Sequence, residues 1–133
     1  SWPPVPPVDL KNNRHFWRGV IDGDGSIVML RRQYKSRKTS IIKMYTKGSI
    51  DICGTPKTVE YFINFISEFT STDFHKKKIG IRTETFNTFR VGARDEVNKV
   101  LDLLYKDATI YLDRKYSKYL EFKEYFDELK KQL

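Results

Sequence analysis

At 133 residues, 39% of them hydrophobic and 14% aromatic, the chain is long enough for one domain with its own core and too apolar to be disordered. Twenty-five basic residues against 17 acidic ones leave a net charge of +8, which points to polyanionic partners. A lone cysteine, Cys53, excludes an internal disulfide and a cysteine-built zinc site, only His15 and His75 offer imidazoles, and no apolar run reaches the length of a membrane span; the expectation is a soluble, intracellular protein in which any metal is bound by oxygen.

Residues 1 to 11 hold four of the five prolines and read as an extended arm or linker ahead of a domain from 12 to 133. Those prolines also stand where a secretory signal would have its apolar region. From Phe16 to Ile27 an apolar run with helical period, capped by Asn12 or Asn13, ends on two carboxylates, Asp22 and Asp24, that are separated and followed by glycines. Gly23 lets the backbone leave the helix, and Gly19, four residues earlier, shares a face with it, so a second backbone can approach closely there. With a copy of the same helix as that partner, two Asp24 carboxylates converge, and like charges so close require a divalent cation between them. A calcium loop opening at Asp22 needs Gly at its sixth position and Glu at its twelfth, which are Ile27 and Gln33 here. A plain helix end and turn is the other local alternative.

The run Trp17-Arg18-Gly19-Val20-Ile21-Asp22-Gly23-Asp24-Gly25 resembles the signature of the LAGLIDADG homing endonucleases, which Gly19, Asp22, Asp24 and Gly25 match letter for letter. Trp17 and Arg18 depart from its leucine and alanine, in a way similar to the second repeat of two-repeat members. The resemblance implies hydrolysis of both strands of a long duplex DNA target, in the service of intron or intein mobility. It implies Mg²⁺, with Ca²⁺ or Mn²⁺ able to substitute, held by Asp24 and the Gly23 carbonyl. It also implies pairing through Trp17, Gly19, Val20 and Gly23, as a homodimer or with a first repeat preceding the arm. Lys115, with Arg114 second, matches the basic residue that the family places near the scissile phosphate. Asp22 is expected to be structural, and Gly54 stands where some members carry a polar residue that positions water.

Further along, Ser26 to Tyr34 and Ser40 to Gly54 read as strands around a basic loop, with Ile50 and Ile52 facing a core and Ser49, Asp51 and Cys53 facing away. Thr55-Pro56 opens a helix with Val59, Phe62, Ile63, Ile66 and Phe69 as its apolar stripe. Ile79 and Ile81 alternate with polar residues, as do Phe89 and Val91, giving a second strand pair with Asn87 near its turn. Helices are expected from about Asp95 to Tyr105 and Tyr116 to Lys131. The order αββαββαα describes an α+β fold, an antiparallel four-stranded sheet with helices on one face, and resembles the LAGLIDADG fold from Asn12 onward.

Charge is concentrated on the strands. From Gly25 to Ile50 seven basic residues face no acidic one, whereas from Asp95 onward eight face nine, so the excess belongs to the sheet rather than the last helices. A basic sheet face fits the major groove of duplex DNA. The DNA-contacting residues expected from alternation and charge are Arg32, Tyr34, Lys35, Arg37, Lys38, Lys43, Tyr45, Lys47, Ser49, Asp51, Lys78, Arg82, Thr88 and Arg90. Asp51 is either an acceptor for a cytosine amine or one half of a cross-strand ion pair. A non-cleaving DNA-binding regulator and an RNA-binding intron maturase are the alternative functions on the same scaffold.

Overall fold

The computed structural model describes residues 10–131, apart from the side chains of Arg31, Arg32, Met44 and Tyr45. Most of the proline-rich arm, and the side chains of Arg32 and Tyr45 from which base contacts were expected, lie outside the described residues. The elements are α1 (Arg14–Asp24), β1 (Ser26–Lys35), β2 (Ile42–Gly54), α2 (Pro56–Thr70), β3 (Gly80–Thr83), β4 (Phe86–Val91), α3 (Arg94–Tyr105) and α4 (Asp113–Lys131). This is the αββαββαα order expected. Among the described residues no helix is long and apolar enough to cross a membrane.

Local chemistry sets the helix starts. The Asn13 side chain accepts from the His15 and Phe16 amides, closing the first turn of α1, and Thr55 accepts from the Thr58 amide with Pro56 at the first helical position of α2. Alternation sets the sheet. Its strand order is β1-β2-β4-β3, antiparallel throughout, and Ile27 pairs with Ile50, Ile50 with Val91, and Ile52 with Phe89. Those five residues share one face and are buried with Val59, Phe62, Phe65, Val100, Leu101 and Phe122 from the helices. On the opposite face the same register places Ser26 beside Asp51, Leu30 beside Lys47, Tyr34 beside Lys43, Asp51 beside Arg90, and Cys53 beside Thr88.

Three expectations change. Trp17, expected at a subunit interface, is fully buried against Phe62 and Phe65, with its indole N–H donating to the Lys11 carbonyl at 2.7 Å. Two residues along a helix turn the side chain by about 200°, so the face carrying Trp17 and Ile21 lies opposite Gly19 and Gly23. Ile81 is 77% exposed because β3 is a four-residue edge strand that pairs, among the described residues, with β4 alone, and Ile79, just before that strand, is exposed too. Phe69 is half exposed, its ring tilted at 42° against Phe65, which takes its place in the core. Asn87 lies near the hairpin turn, Glu84–Thr85, as expected, and is buried in β4 opposite Gly54.

Candidate nucleic-acid interface

Asp22 and Asp24 are two residues apart and have opposite surroundings. Asp22 accepts from the Tyr105 hydroxyl at 2.5 Å through Oδ1 and from the Leu112 amide at 2.8 Å through Oδ2. Burial, and then this bond to Asp22, push the Tyr105 phenol well above its ordinary pKa, so the tyrosine remains a donor. Both oxygens of Asp22 are thus used in joining α1 to α3 and to the loop before α4. The Asp24 side chain is exposed and makes no hydrogen bond or ion pair with the described residues; only its backbone carbonyl is engaged, by the Cys53 thiol at 3.7 Å.

The end of α1 is held from beneath by Lys115. This lysine is only 8% exposed, and its ammonium donates to the Ile21 carbonyl at 2.9 Å and to the Gly25 carbonyl. Burial first, and Arg114 second, lower its pKa from the ordinary lysine value. The side chain expected to face a phosphate therefore donates to carbonyls at the helix C-terminus, where a cation also complements the helix dipole, and adds a second donor to the Ile21 carbonyl, which already accepts from the Gly25 amide. Arg114, beside it on α4, is exposed and makes no ion pair or hydrogen bond with the described residues, which leaves it the freer cation of the two.

Gly25 fixes where Asp24 sits relative to the sheet. A Cβ at this position would lie 2.8 Å from Ile21 Cδ1, 2.9 Å from the Asp51 carbonyl oxygen and 3.0 Å from Ile21 Cα. Two of those three atoms are backbone, so the helix and β2 would have to separate. Its φ of −92° suits any residue, and the requirement is one of space. Gly25→Ala is expected to cost about 1–3 kcal/mol, the usual range for overpacking, read as a lower urea midpoint at unchanged m-value. At Gly19 and Gly23 an added Cβ would meet nothing within 4 Å, so that face of α1 is open.

From Asp24 a groove of about 530 Å³ runs over the outward sheet face, lined by Asp24, Ser26, Cys53, Lys78, Arg82, Thr88 and Arg90. Lys78 and Arg82 give it positive charge, Arg90 being paired with Asp51; Lys43 and Lys47 continue that charge as exposed residues on the same face, Arg37 and Lys38 in the β1–β2 turn, and Lys35 is exposed at the end of β1. Asp51 is not free to accept from a base: Arg90 clamps it through Nε at 2.6 Å and Nη2 at 3.1 Å, with the Ser26 hydroxyl at 3.5 Å. This is the cross-strand ion pair, and it also occupies Arg90, whose pKa the Asp51 bond raises. Ser49 points outward but is almost covered. Ser26 and Cys53, absent from the expected site residues, line the groove next to Asp24.

The fold matches known structures. The chain superposes on the meganuclease I-SmaMI bound to an uncleavable DNA with a TM-score of 0.62 at 19% identity, over 92% of this chain and 39% of that one. On I-LtrWI, a LAGLIDADG homing endonuclease bound to its target DNA, the TM-score is 0.62 at 15% identity, over 90% and 38%. The chain has the LAGLIDADG homing-endonuclease fold. It spans less than two fifths of those two proteins, and 69% of a third homing endonuclease of this fold, I-TnaI, at a TM-score of 0.52 and 14% identity. No protein-family model matches the chain, and no curated protein matches it by sequence. In the LAGLIDADG fold seen here, α1 is the signature helix, Asp24 stands at its open end, and Gly54, buried at the end of β2, brings no side chain to the groove.

Proposed function

We propose that the chain is a site-specific DNA endonuclease of the homing type, or one half of one, cutting duplex DNA by divalent-metal-dependent phosphodiester hydrolysis. The observation that carries this is the free Asp24 carboxylate at the head of a cationic groove on the outward sheet face. A carboxylate beside phosphates opposes binding unless a cation joins them, so a pure DNA-binding module gains nothing from it. The donors fit Mg²⁺, with Ca²⁺ or Mn²⁺ substituting: Asp24 and the Gly23 carbonyl are hard oxygen ligands. Among the described residues no cluster of three His, Cys, Asp or Glu side chains converges, so this chain alone would not enclose the ion. Phosphate oxygens, water and a second Asp24 would complete it. When bound, a divalent cation supplies a water nucleophile at neutral pH and offsets charge on the phosphate.

The chain's own residues hold the substrate in place. Ten residues of β1 span about 33 Å at 3.3 Å each, close to ten base pairs of duplex, so Lys35, Arg37 and Lys38 meet phosphates far from Asp24 while Lys78, Arg82 and Thr88 act close to it. Arg114 offers a positive charge at the cleavage end, and Lys115 keeps the carbonyls around Asp24 in position. Duplex specificity over such a length, doubled by a partner, suits a long target.

The experiment is nicking of a random duplex pool with and without Mg²⁺, beside binding in Ca²⁺ over a salt series. Cleavage restricted to Mg²⁺ or Mn²⁺, and a log-log salt slope of about −5 or steeper, as six or more phosphate contacts require, are expected. Tight binding of a selected duplex that is never cut in any divalent ion would point to a non-cleaving regulator. Pairing through the open face of α1 has its own test. Gly19→Leu leaves the fold intact, since the position faces open space, but should weaken association at least tenfold by sedimentation. Unchanged association would exclude that face as the interface.

A further inference from the structure

We propose that Val28 and Leu30 are specificity residues that read thymine methyl groups in the target duplex, an inference that rests on the DNA-cleaving function above. On a sheet with one buried face, outward positions are ordinarily polar. Along β1 the residues facing the core are Ile27 and Met29, and the intervening positions, Ser26, Val28 and Leu30, face outward opposite Asp51, Ser49 and Lys47. Leu30 is 40% exposed and Val28 half-buried, although the helices pack on the other face, where Phe122 covers Gly48. Neither side chain belongs to the core.

Their surroundings decide what covers them. Lys47 and Lys43 on β2 are exposed on the same face, and Lys78 and Arg82 lie across the groove. An apolar protein partner would strip water from those cations without replacing it, whereas a DNA groove offers phosphates to the cations at its rims. The apolar group within the major groove is the thymine C5-methyl. The polar residues nearest Asp24 are less available for reading bases: Asp51 and Arg90 are locked on each other and Ser49 is covered. Alternate residues on a strand are about 6.6 Å apart, or two base-pair rises, and Leu30 is about 13 Å from Ser26 in the groove. Val28 and Leu30 therefore address bases about two and four pairs outward from the phosphate beside Asp24.

The test removes only the methyl. Duplexes bound by the chain in Ca²⁺ are selected from a random pool, and the best is remade with deoxyuridine replacing each thymine in turn. Thymine should be enriched at the two inferred positions, and deoxyuridine at either should weaken binding by about fourfold, the worth of one buried methyl. Leu30→Ala should erase that sensitivity at the outer position and keep it at the inner one, with Val28→Ala doing the reverse. A tightly bound duplex with a flat deoxyuridine profile overturns the assignment and leaves the DNA function standing, as does sensitivity that both variants retain. A pool from which no duplex is enriched overturns the DNA function and this inference together.

Discussion

Asp24→Asn is expected to abolish strand cleavage while leaving the fold and DNA binding in place. The loss should be at least about a thousandfold, since the substitution removes the one unpartnered anionic ligand at the proposed metal site, and metal stabilisation of a phosphate transition state amounts to several kcal/mol. Stability should hardly change, because the Asp24 carboxylate makes no hydrogen bond or ion pair with the described residues. Binding without divalent cation should hold or tighten once one negative charge is removed from beside the phosphates. Asp22→Asn makes the contrast. An amide has one acceptor oxygen for two donors, and its NH₂ would face either the Tyr105 hydroxyl or the Leu112 amide, so about 1–3 kcal/mol of stability should be lost. Strand cleavage in Mg²⁺, a gel-shift titration in Ca²⁺ and a thermal melt of both variants separate the two roles. Equal loss of stability in both would mean that Asp24 is as structural as its neighbour.

Why the two aspartates could be told apart from sequence, while other site residues could not, follows from how far each depends on distant chain. A carboxylate beyond a helix end flanked by glycines is a local pattern, and so is the Thr55-Pro56 helix start. Alternation around Ile50 and Ile52 revealed which residues of β2 share a face, but a strand does not declare its neighbour. Asp51 and Arg90 are 39 residues apart, and only the register between β2 and β4 turns a candidate base reader into one half of an ion pair. The same limit applies to Ile79 and Ile81, where alternation separates two faces without saying that an edge strand has little to bury against. Lys115 was identifiable as a basic residue at the proper place in the chain. That its ammonium lies beneath α1 depends on the packing of α4, 90 residues after the carbonyl it meets at Gly25. Trp17 is different, since the helical period alone sets it opposite Gly19 and Gly23.

Arg18→Ala should be among the most destabilising substitutions in the chain, at about 3–5 kcal/mol. The position departs from the family signature, which has alanine there. Here the side chain is 4% exposed, and its guanidinium donates through Nε to the Ile110 carbonyl at 2.7 Å and through Nη1 to the Leu104 carbonyl at 2.9 Å, with Nη2 2.7 Å from His15 Nδ1. Burial and, next, Arg14 lower its pKa from the ordinary arginine value, so its charge is held in place by these acceptors and by the nearby Asp22. Charged hydrogen bonds contribute about 1.5–3 kcal/mol each, and truncation leaves two carbonyls without their donor. Arg18→Lys should recover little, because one ammonium cannot reproduce the planar fork that reaches the end of α3 and the following loop at once. The loss should extend to the site. That loop supplies the Leu112 amide to Asp22 and leads into the turn of α4 that carries Arg114 and Lys115, so loosening it frees the end of α1. Urea unfolding gives the energy, and amide exchange at Leu112 and along the last turn of α1 gives the route. A variant within 0.5 kcal/mol of the parent, the ordinary scatter of surface substitutions, with exchange unchanged at Leu112, would show that the arginine does not brace the helix bearing Asp24.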